Sequence, residues 1–347
     1  MRYRTFPGTT VTASEVGLGM WTLATNWWGE KTDAEAVAML RSAHDEFGVT
    51  FFDAADTYGN GRAERQLASA FRDRRGQVVY ATKIGYDIYD EAAQRARRGQ
   101  SELPMRTDPA YLRLALERSL ERLETDYVDV LQIHNAKMEH VRDAALWETL
   151  RDFQREGKVR VWGAAFGPAI GWLYEAVELC EREPDVGAIQ MIWNILEQHP
   201  GTAMLDAARR HAPNCAFTVR VPHASGMLEG HYTEDTVFPE HDHRRHRPRS
   251  WLVNGVKKVR TLDFLTPRMT LGQASLKWLL ADPLVVTTLP NIYDTAQLRE
   301  FATTSEQPDL TRAQLDEVAR LAAVNFGVDE PPMAYKGTME RENAASV

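Results

Sequence analysis

The sequence predicts an α/β fold, a (β/α)8 TIM barrel with long loops after its third and seventh strands. Three observations point there. Eight short β-branched or aromatic runs recur along the chain, each followed eventually by a segment of helical periodicity, the order of a parallel sheet with crossover helices. A length of 347 residues suits either two medium domains or one large barrel. The competing doubly wound fold needs Gly-x-Gly-x-x-Gly between its first strand and helix, and Gly17-Leu18-Gly19-Met20-Trp21-Thr22 lacks the third glycine. On this reading residues 1–347 form one barrel domain, with an N-terminal cap over about 1–15 and a C-terminal helix and tail over about 305–347.

The first strand is expected from Val16 to Met20. Thr32-Asp33-Ala34-Glu35 reads as a capping box, Val37, Leu40, His44 and Phe47 repeat at helical spacing, and Gly48 marks the stop. Val49 to Asp53 is the second strand, Arg62 to Phe71 its helix, and Val78 to Lys83 the third strand. Asp108-Pro109 looks like an N-cap with proline in the first turn, and Leu112, Leu116, Leu120 and Leu123 form one apolar stripe behind it. Tyr127 to Ile133 is the fourth strand. Leu146, Leu150 and Phe153 mark the next helix, closed by Gly157, and Lys158 to Gly163 is the fifth strand. The last three strands are Ala188 to Ile192, Phe217 to Val221 and Leu284 to Leu289, with Gln273 to Leu280 the clearest remaining helix. The two long loops, Gly85 to Arg106 and Pro222 to about Arg249, open on the face where barrels build their active sites.

Composition narrows the function. With 44% hydrophobic and 26% charged residues the chain is of ordinary globular type. A net charge of −8 argues against nucleic acid as the partner, since phosphate binding runs on excess Lys and Arg. Cys180 and Cys215 are the two cysteines and neither lies in a CxxC, so neither a disulfide framework nor a structural zinc site is expected. No segment approaches the ~20 apolar residues of a membrane span, and the N-terminus lacks a signal-peptide core. The expectation is a soluble cytoplasmic protein with a small-molecule partner, its oligomeric state open.

The strand ends carry the chemistry. Asp53 ends the second strand with Tyr58 in the loop behind it, Lys83 ends the third, and His134 ends the fourth. Singly, each has an ordinary structural reading: a helix cap, a paired lysine, a satisfied core histidine. Together, on one face, an acid, a phenol, an amine and an imidazole suit proton transfer to a carbonyl oxygen. An ammonium beside a phenol favours the phenolate, a carboxylate fixes the lysine, and the imidazole can hydrogen-bond the developing alkoxide.

These segments resemble the aldo-keto reductase family. Phe52-Asp53-Ala54-Ala55-Asp56-Thr57-Tyr58-Gly59 is similar to its catalytic signature, and Ala81-Thr82-Lys83 and Leu131-Gln132-Ile133-His134 are similar to its lysine and histidine segments. The resemblance runs from about Val16 to Glu300. It implies carbonyl reduction, or alcohol oxidation, with NADP(H), and NAD(H) possible. Tyr58 would be the general acid, Asp53 with Lys83 its tuning pair, and His134 the group that orients the carbonyl. It also implies cofactor contacts from Gly19, Trp21, Asp53, Gln190, Ser225, Gly226, Leu228, Pro290, Gln297 and Glu300.

The chain departs from the family at the cofactor side. Gly163-Ala164-Ala165-Phe166 replaces the usual Gly-x-Ser-Asn, His231 stands where a lysine is common, and Tyr293 stands where Arg or Lys often meets the 2′-phosphate of NADPH. The run Glu240-His241-Asp242-His243-Arg244-Arg245-His246-Arg247 reads as a solvated loop or one that folds over phosphates; as an arginine-flanked loop it is a poor metal cage, and no metal is expected. Trp27 and Trp28 could line a substrate pocket or cover the barrel mouth. Two other functions share the same motifs: a cofactor-sensing regulatory barrel with little turnover, and a non-redox lyase or isomerase.

Overall fold

Eight parallel strands form the sheet predicted from the sequence, each hydrogen-bonded to its neighbour in chain order: β1 (Leu18–Gly19), β2 (Phe51–Asp53), β3 (Val79–Ile84), β4 (Val128–His134), β5 (Val159–Ala165), β6 (Ala188–Ile192), β7 (Ala216–Arg220) and β8 (Val285–Leu289). The computed structural model describes residues 1–25, 29–96, 102–239, 242–331 and 333–341. Trp27, Trp28 and His241 lie outside the described residues. A parallel bridge from Val16 to Thr288 joins the two edges, with Gly17 N–H donating to Thr288 O at 2.9 Å and Thr288 N–H to Glu15 O at 2.9 Å. The barrel therefore has no open strand edge there to pair with another chain.

Period-2 alternation sorts the strand residues into two sets. Phe52, Tyr80, Leu131, Ile133, Trp162, Ile189, Phe217 and Val219 pack outward with the helices in the large core. Phe51, Val79, Ala81, Val130, Val161, Ala188 and Ala216 form a separate cluster, the barrel interior, and Phe6 and Val11 complete it. Both come from an N-terminal hairpin, Tyr3–Thr5 paired with Thr12–Ser14. Phe6 is fully buried and stacks on Phe51 with ring centroids 6.3 Å apart. The hairpin is latched by Arg4, which donates to Glu15, Leu280 O, Asp282 O and Val285 O. One end of the barrel is thus closed by apolar packing, which leaves the other for polar chemistry.

The crossover helices follow their sequence signals. Thr32 and Glu35 form the reciprocal capping box that opens Asp33–Asp45. Asp108 caps Pro109–Leu123 by accepting from Tyr111 N–H, and its Leu112, Leu116, Leu120 and Leu123 stripe is buried. Several boundaries shift by a residue or two, the ordinary uncertainty at element ends. The first strand is shorter than expected because past Gly19 the chain turns into a short helix, Trp21–Ala24. The long loops also contain structure. The one after β3 holds a helix, Glu91–Ala96, and an antiparallel bridge from Tyr86 to Met105; the one after β7 holds tight turns at Met227–Glu229 and His243–His246 and leads into Arg249–Arg260.

Replacing Phe6 by alanine should destabilise the protein by about 3–5 kcal/mol, the usual cost of removing a buried phenyl ring. Denaturant unfolding measures it. A loss below about 1 kcal/mol would mean the hairpin does not close the core.

Candidate active site

Inward parity delivers a second set of side chains to the C-terminal ends of the strands. Asp53 is two residues past Phe51, Lys83 four past Val79, His134 four past Val130, Gln190 two past Ala188 and Arg220 four past Ala216. The register places His134 beside Ala165, Ala165 beside Gln190, and Gln190 beside Thr218. Arg220 stands one inward position above Thr218, directly over that layer.

The lowest polar contact is an ion pair. Lys83, 1% exposed, donates from Nζ to Asp53 Oδ2 at 2.7 Å and to Ala54 O at 2.8 Å. Gln190 Nε2 donates to the other oxygen, Oδ1, at 3.0 Å, so both oxygens of a buried carboxylate are satisfied. The loop behind Asp53 is tied to β3, with Ala54 N–H donating to Ala81 O and Asp56 N–H to Lys83 O. It closes on itself where Gly61 N–H donates to Asp56 O at 2.7 Å. Tyr58 leaves this turn half-buried, its ring centre 5.2 Å from Lys83 Nζ and 5.8 Å from the His134 ring, which meets it edge-on at 78°. Asp53, Tyr58, Lys83 and His134, expected together from the sequence, are together.

Burial, then the charges of Lys83 and Arg220, push the His134 imidazolium well below its usual range, so this ring is neutral near pH 7. Its Nδ1 lies 3.4 Å from the Thr57 hydroxyl. Assigning that hydroxyl as donor leaves the ring hydrogen on Nε2, where it can be given to a carbonyl oxygen. Tyr86 packs edge-on against His134, 5.2 Å between centres; its hydroxyl donates to Glu102 and accepts from Asn135 Nδ2 at 2.8 Å. Burial raises the Tyr86 phenol, so it stays protonated and serves as a wall.

The sequence reading missed Arg220, Tyr86 and Asn135. Arg220 had a signal: small or polar Ala216, Thr218 and Arg220 alternate with Phe217 and Val219. Tyr86 and Asn135 had none, since each lies just past a strand end, within a loop.

The expected cofactor residues occupy the same mouth. Gly19 faces open space at the end of β1, and Trp21, half-buried, opens the next helix. Beyond β7 the backbone takes positive φ at Val221, Ala224, Ser225 and Gly226, and the Ser225 and Gly226 amides donate to no group among the described residues. Successive turned amides of this kind form a concavity suited to an anion. Gly226, at φ 90°, lies against Tyr232 and Arg244, so a β-carbon there would be both strained and blocked. Leu228 is buried beneath the turn, and Pro290 follows β8. Gln297 Nε2 donates to Glu229 Oε2 at 3.2 Å, and Glu300 accepts from the Thr270 hydroxyl at 2.5 Å. Burial pushes the Glu229 carboxyl up to about 7. The basic run divides: Arg244 is folded in, chelated by Asp242 and stacked over Phe238, whereas Arg245, Arg247 and Arg249 are exposed.

Comparison with known proteins then decides the family. The aldo/keto reductase family profile matches residues 15–323. The chain belongs to the aldo/keto reductase family. It is 28% identical over 323 residues to an NADP(+)-linked aldo-keto reductase of Schizosaccharomyces pombe, covering 88% of each chain. It is 27% identical over 342 residues to a probable voltage-gated potassium channel subunit beta of Arabidopsis thaliana, covering 92% of this chain and 96% of that one. The glycerol dehydrogenase of Gluconobacter oxydans superposes on its fold with a TM-score of 0.75 at 21% identity, over 96% of this chain and 99% of that one.

Aldo/keto reductases are oxidoreductases that use NAD(P)H, and the residues present fit a dinucleotide. The free amides of Ser225 and Gly226 suit its pyrophosphate, and the Glu300 carboxylate with the Gln297 amide suits ribose hydroxyls. Where the family's Ser-Asn pair would stand, this aldo/keto reductase has Ala165 and Phe166, and Arg220 donates from Nη2 to Phe166 O at 3.0 Å. Among the described residues no helix is long and apolar enough to cross a membrane.

Proposed function

We propose that the chain reduces an aldehyde, ketone or sugar-like carbonyl, or oxidises the corresponding alcohol, with Tyr58 as the general acid. When bound, NAD(P)H supplies the hydride. Everything else falls to the chain's own groups. His134, neutral, donates a hydrogen bond to the carbonyl oxygen and fixes its position. Tyr58 gives its phenolic proton to that oxygen as charge develops on it. The observation that carries this reading is the Lys83 ammonium, buried, pinned by Asp53 and Ala54 O, and facing the Tyr58 ring at 5.2 Å. A fixed positive charge stabilises the phenolate left after the proton has gone.

NADPH is accepted, with NADH as the alternative. Gln297 and Glu300 support recognition of the adenosine end, while Tyr293 offers no cation to a 2′-phosphate. Similarity to the potassium channel subunit supports a second reading, a cofactor-sensing regulatory barrel with little turnover. Steady turnover of NADPH with an aldehyde separates the two, and net oxidation of the cofactor excludes a lyase or isomerase.

Tyr58→Phe removes only the proton donor. It should lower kcat by several orders of magnitude while the cofactor Kd stays within about twofold, because the lost interaction exists only in the transition state. Wild-type rates in that variant would overturn the role of Tyr58.

Glu229 generates a pH dependence. With its pKa near 7, the carboxyl is neutral below that pH and anionic above it. An anionic dinucleotide should therefore bind more weakly as pH rises from 6 to 8.5, by roughly 3- to 10-fold for one nearby like charge. NADH is the right probe, since its pyrophosphate charge is constant over this range. Fluorescence titration of the wild type should show the drop, and Glu229→Gln should abolish it; a flat wild-type profile would place the dinucleotide away from Glu229.

A further inference from the structure

Beyond the helix Arg312–Ala323 the chain runs as a strap, Asn325 to Pro331 and Met333 to Arg341, seated at two places. Asn325 and Phe326, left-handed at φ 48° and 56°, turn it out of the helix, and Phe326 is buried in the large core. Asn325 Nδ2 donates to Val328 O at 2.8 Å and to Glu330 Oε1 at 3.2 Å. Glu330 also accepts from Asn254 Nδ2 at 2.9 Å and pairs with Lys258 Nζ, both on the helix Arg249–Arg260. One carboxylate thus ties the strap to that helix through charge-assisted hydrogen bonds.

The second seat is the loop after β5. Lys336 N–H donates to Ile170 O at 2.9 Å, Trp172 N–H to Lys336 O at 2.9 Å, and Tyr174 N–H to Thr338 O at 3.0 Å. Trp172 and Tyr174 stand at the start of the helix Leu173–Arg182, where amides have no partner within the helix, so the strap carbonyls cap it. Glu175, 2% exposed in the same turn, accepts from the Thr338 amide at 3.0 Å and from its hydroxyl at 2.8 Å. The approach is close enough to need glycine on both sides. A β-carbon on Gly171 would lie 1.8 Å from Lys336 O, and one on Gly337 would lie 2.7 Å from the Trp172 ring.

Both seats lead to the dinucleotide site. A β-carbon on Gly255 would lie 2.4 Å from Met227 Cε, so the helix that Glu330 holds rests directly on the turn of Ser225 and Gly226. The loop that Lys336 holds begins at Phe166, whose carbonyl accepts from Arg220 at the end of β7. Between the seats the strap has little hold on the core. None of its described residues from Val328 to Arg341 is buried, and Met333 and Tyr335 are exposed. A segment held by polar contacts at its ends, with few buried apolar groups, can leave while the barrel stays folded.

We propose that the strap is a releasable clamp on the dinucleotide site, docked while the cofactor is bound and undocking as it leaves. Docked, it fixes the pyrophosphate turn from one side and the loop after β5 from the other. This rests on the dinucleotide lying against Ser225 and Gly226, and not on which carbonyl is reduced. Linkage makes the effect mutual: if docking holds the cofactor, the cofactor holds the strap by the same factor.

The test uses the full-length protein with NADPH or NADH, whichever binds more tightly, and follows cofactor dissociation by stopped-flow fluorescence. Lys258→Glu sets two carboxylates against each other and should raise koff by about 10-fold, the order of one lost charge-assisted hydrogen bond. Reversing the pair, Lys258→Glu with Glu330→Lys, should bring koff back to within about threefold of the wild type. Gly337→Val, which unseats the other end, should raise koff as well. The hydride-transfer rate at saturating cofactor and aldehyde should stay within about twofold throughout, which separates a clamp from a general loosening of the site. Hydrogen exchange on the wild type depends on no variant folding: saturating cofactor should slow exchange of the Trp172, Tyr174 and Lys336 amides. An unchanged koff in folded Lys258→Glu, a reversed pair that restores nothing, or strap amides indifferent to the cofactor would each overturn the clamp. If no carbonyl is reduced, the reductase reading fails by itself, and koff with hydrogen exchange still decides the clamp. A flat titration with both dinucleotides would remove the cofactor reading and the clamp together.

Discussion

The buried pair of Lys83 and Asp53 is the constraint on which the rest of the site depends. Each charge loses several kcal/mol of hydration on entering the barrel, and only close mutual contact with full hydrogen bonding offsets that loss. Both requirements are met: Lys83 Nζ touches Asp53 Oδ2 and Ala54 O, and Gln190 takes the remaining carboxylate oxygen. Breaking such a pair by removing one partner commonly costs about 3–5 kcal/mol. The pair therefore locks the ends of β2, β3 and β6 together. Because Asp56 N–H bonds to Lys83 O, it also fixes the turn that presents Tyr58. The proton donor is held by strands and a tied loop, and its mobility is correspondingly low.

The apolar end of the barrel makes this possible. Phe6 and the hairpin close the N-terminal side with Phe51, Val79, Val130 and Ala188, so that end of the interior is apolar. The same parity that buries Val79 and Val130 at the bottom brings Lys83 and His134 to the top. With His134 kept neutral by burial and two neighbouring cations, the mouth holds fixed positive charge on Lys83 and Arg220 and a neutral donor between them. That is an environment for a carbonyl oxygen gaining negative charge.

Much of this is legible in the sequence. The four central residues each stand at or just beyond the end of an apolar run, where a barrel strand must expose its last side chain, so Asp53, Lys83 and His134 could be placed from strand limits and Tyr58 from the loop behind Asp53. Helix starts were equally clear where a side chain closes a local loop, as at Thr32 and Asp108. Contacts set by distant partners were not. The inward side of Arg220 follows from its strand alternation, but not the room that Gly167 leaves for its guanidinium. Arg249–Arg260 begins inside a basic run that hides its first turn, and the bridge from Tyr86 to Met105 joins segments with no local pattern in common. Gln190 is legible as a polar residue in an apolar strand, but not its turn toward Asp53.

The central claim is that Lys83 acts through Tyr58, and a double-mutant cycle on the hydride-transfer step tests it most directly. Single-turnover rates with a neutral aldehyde would be measured for the wild type, Lys83→Met, Tyr58→Phe and the double variant, each confirmed as folded and cofactor-bound. If the ammonium works by stabilising the phenolate, it has nothing to act on once the phenol is gone, and the double variant should be no slower than Tyr58→Phe alone. Independent losses that multiply in the double variant would contradict the account.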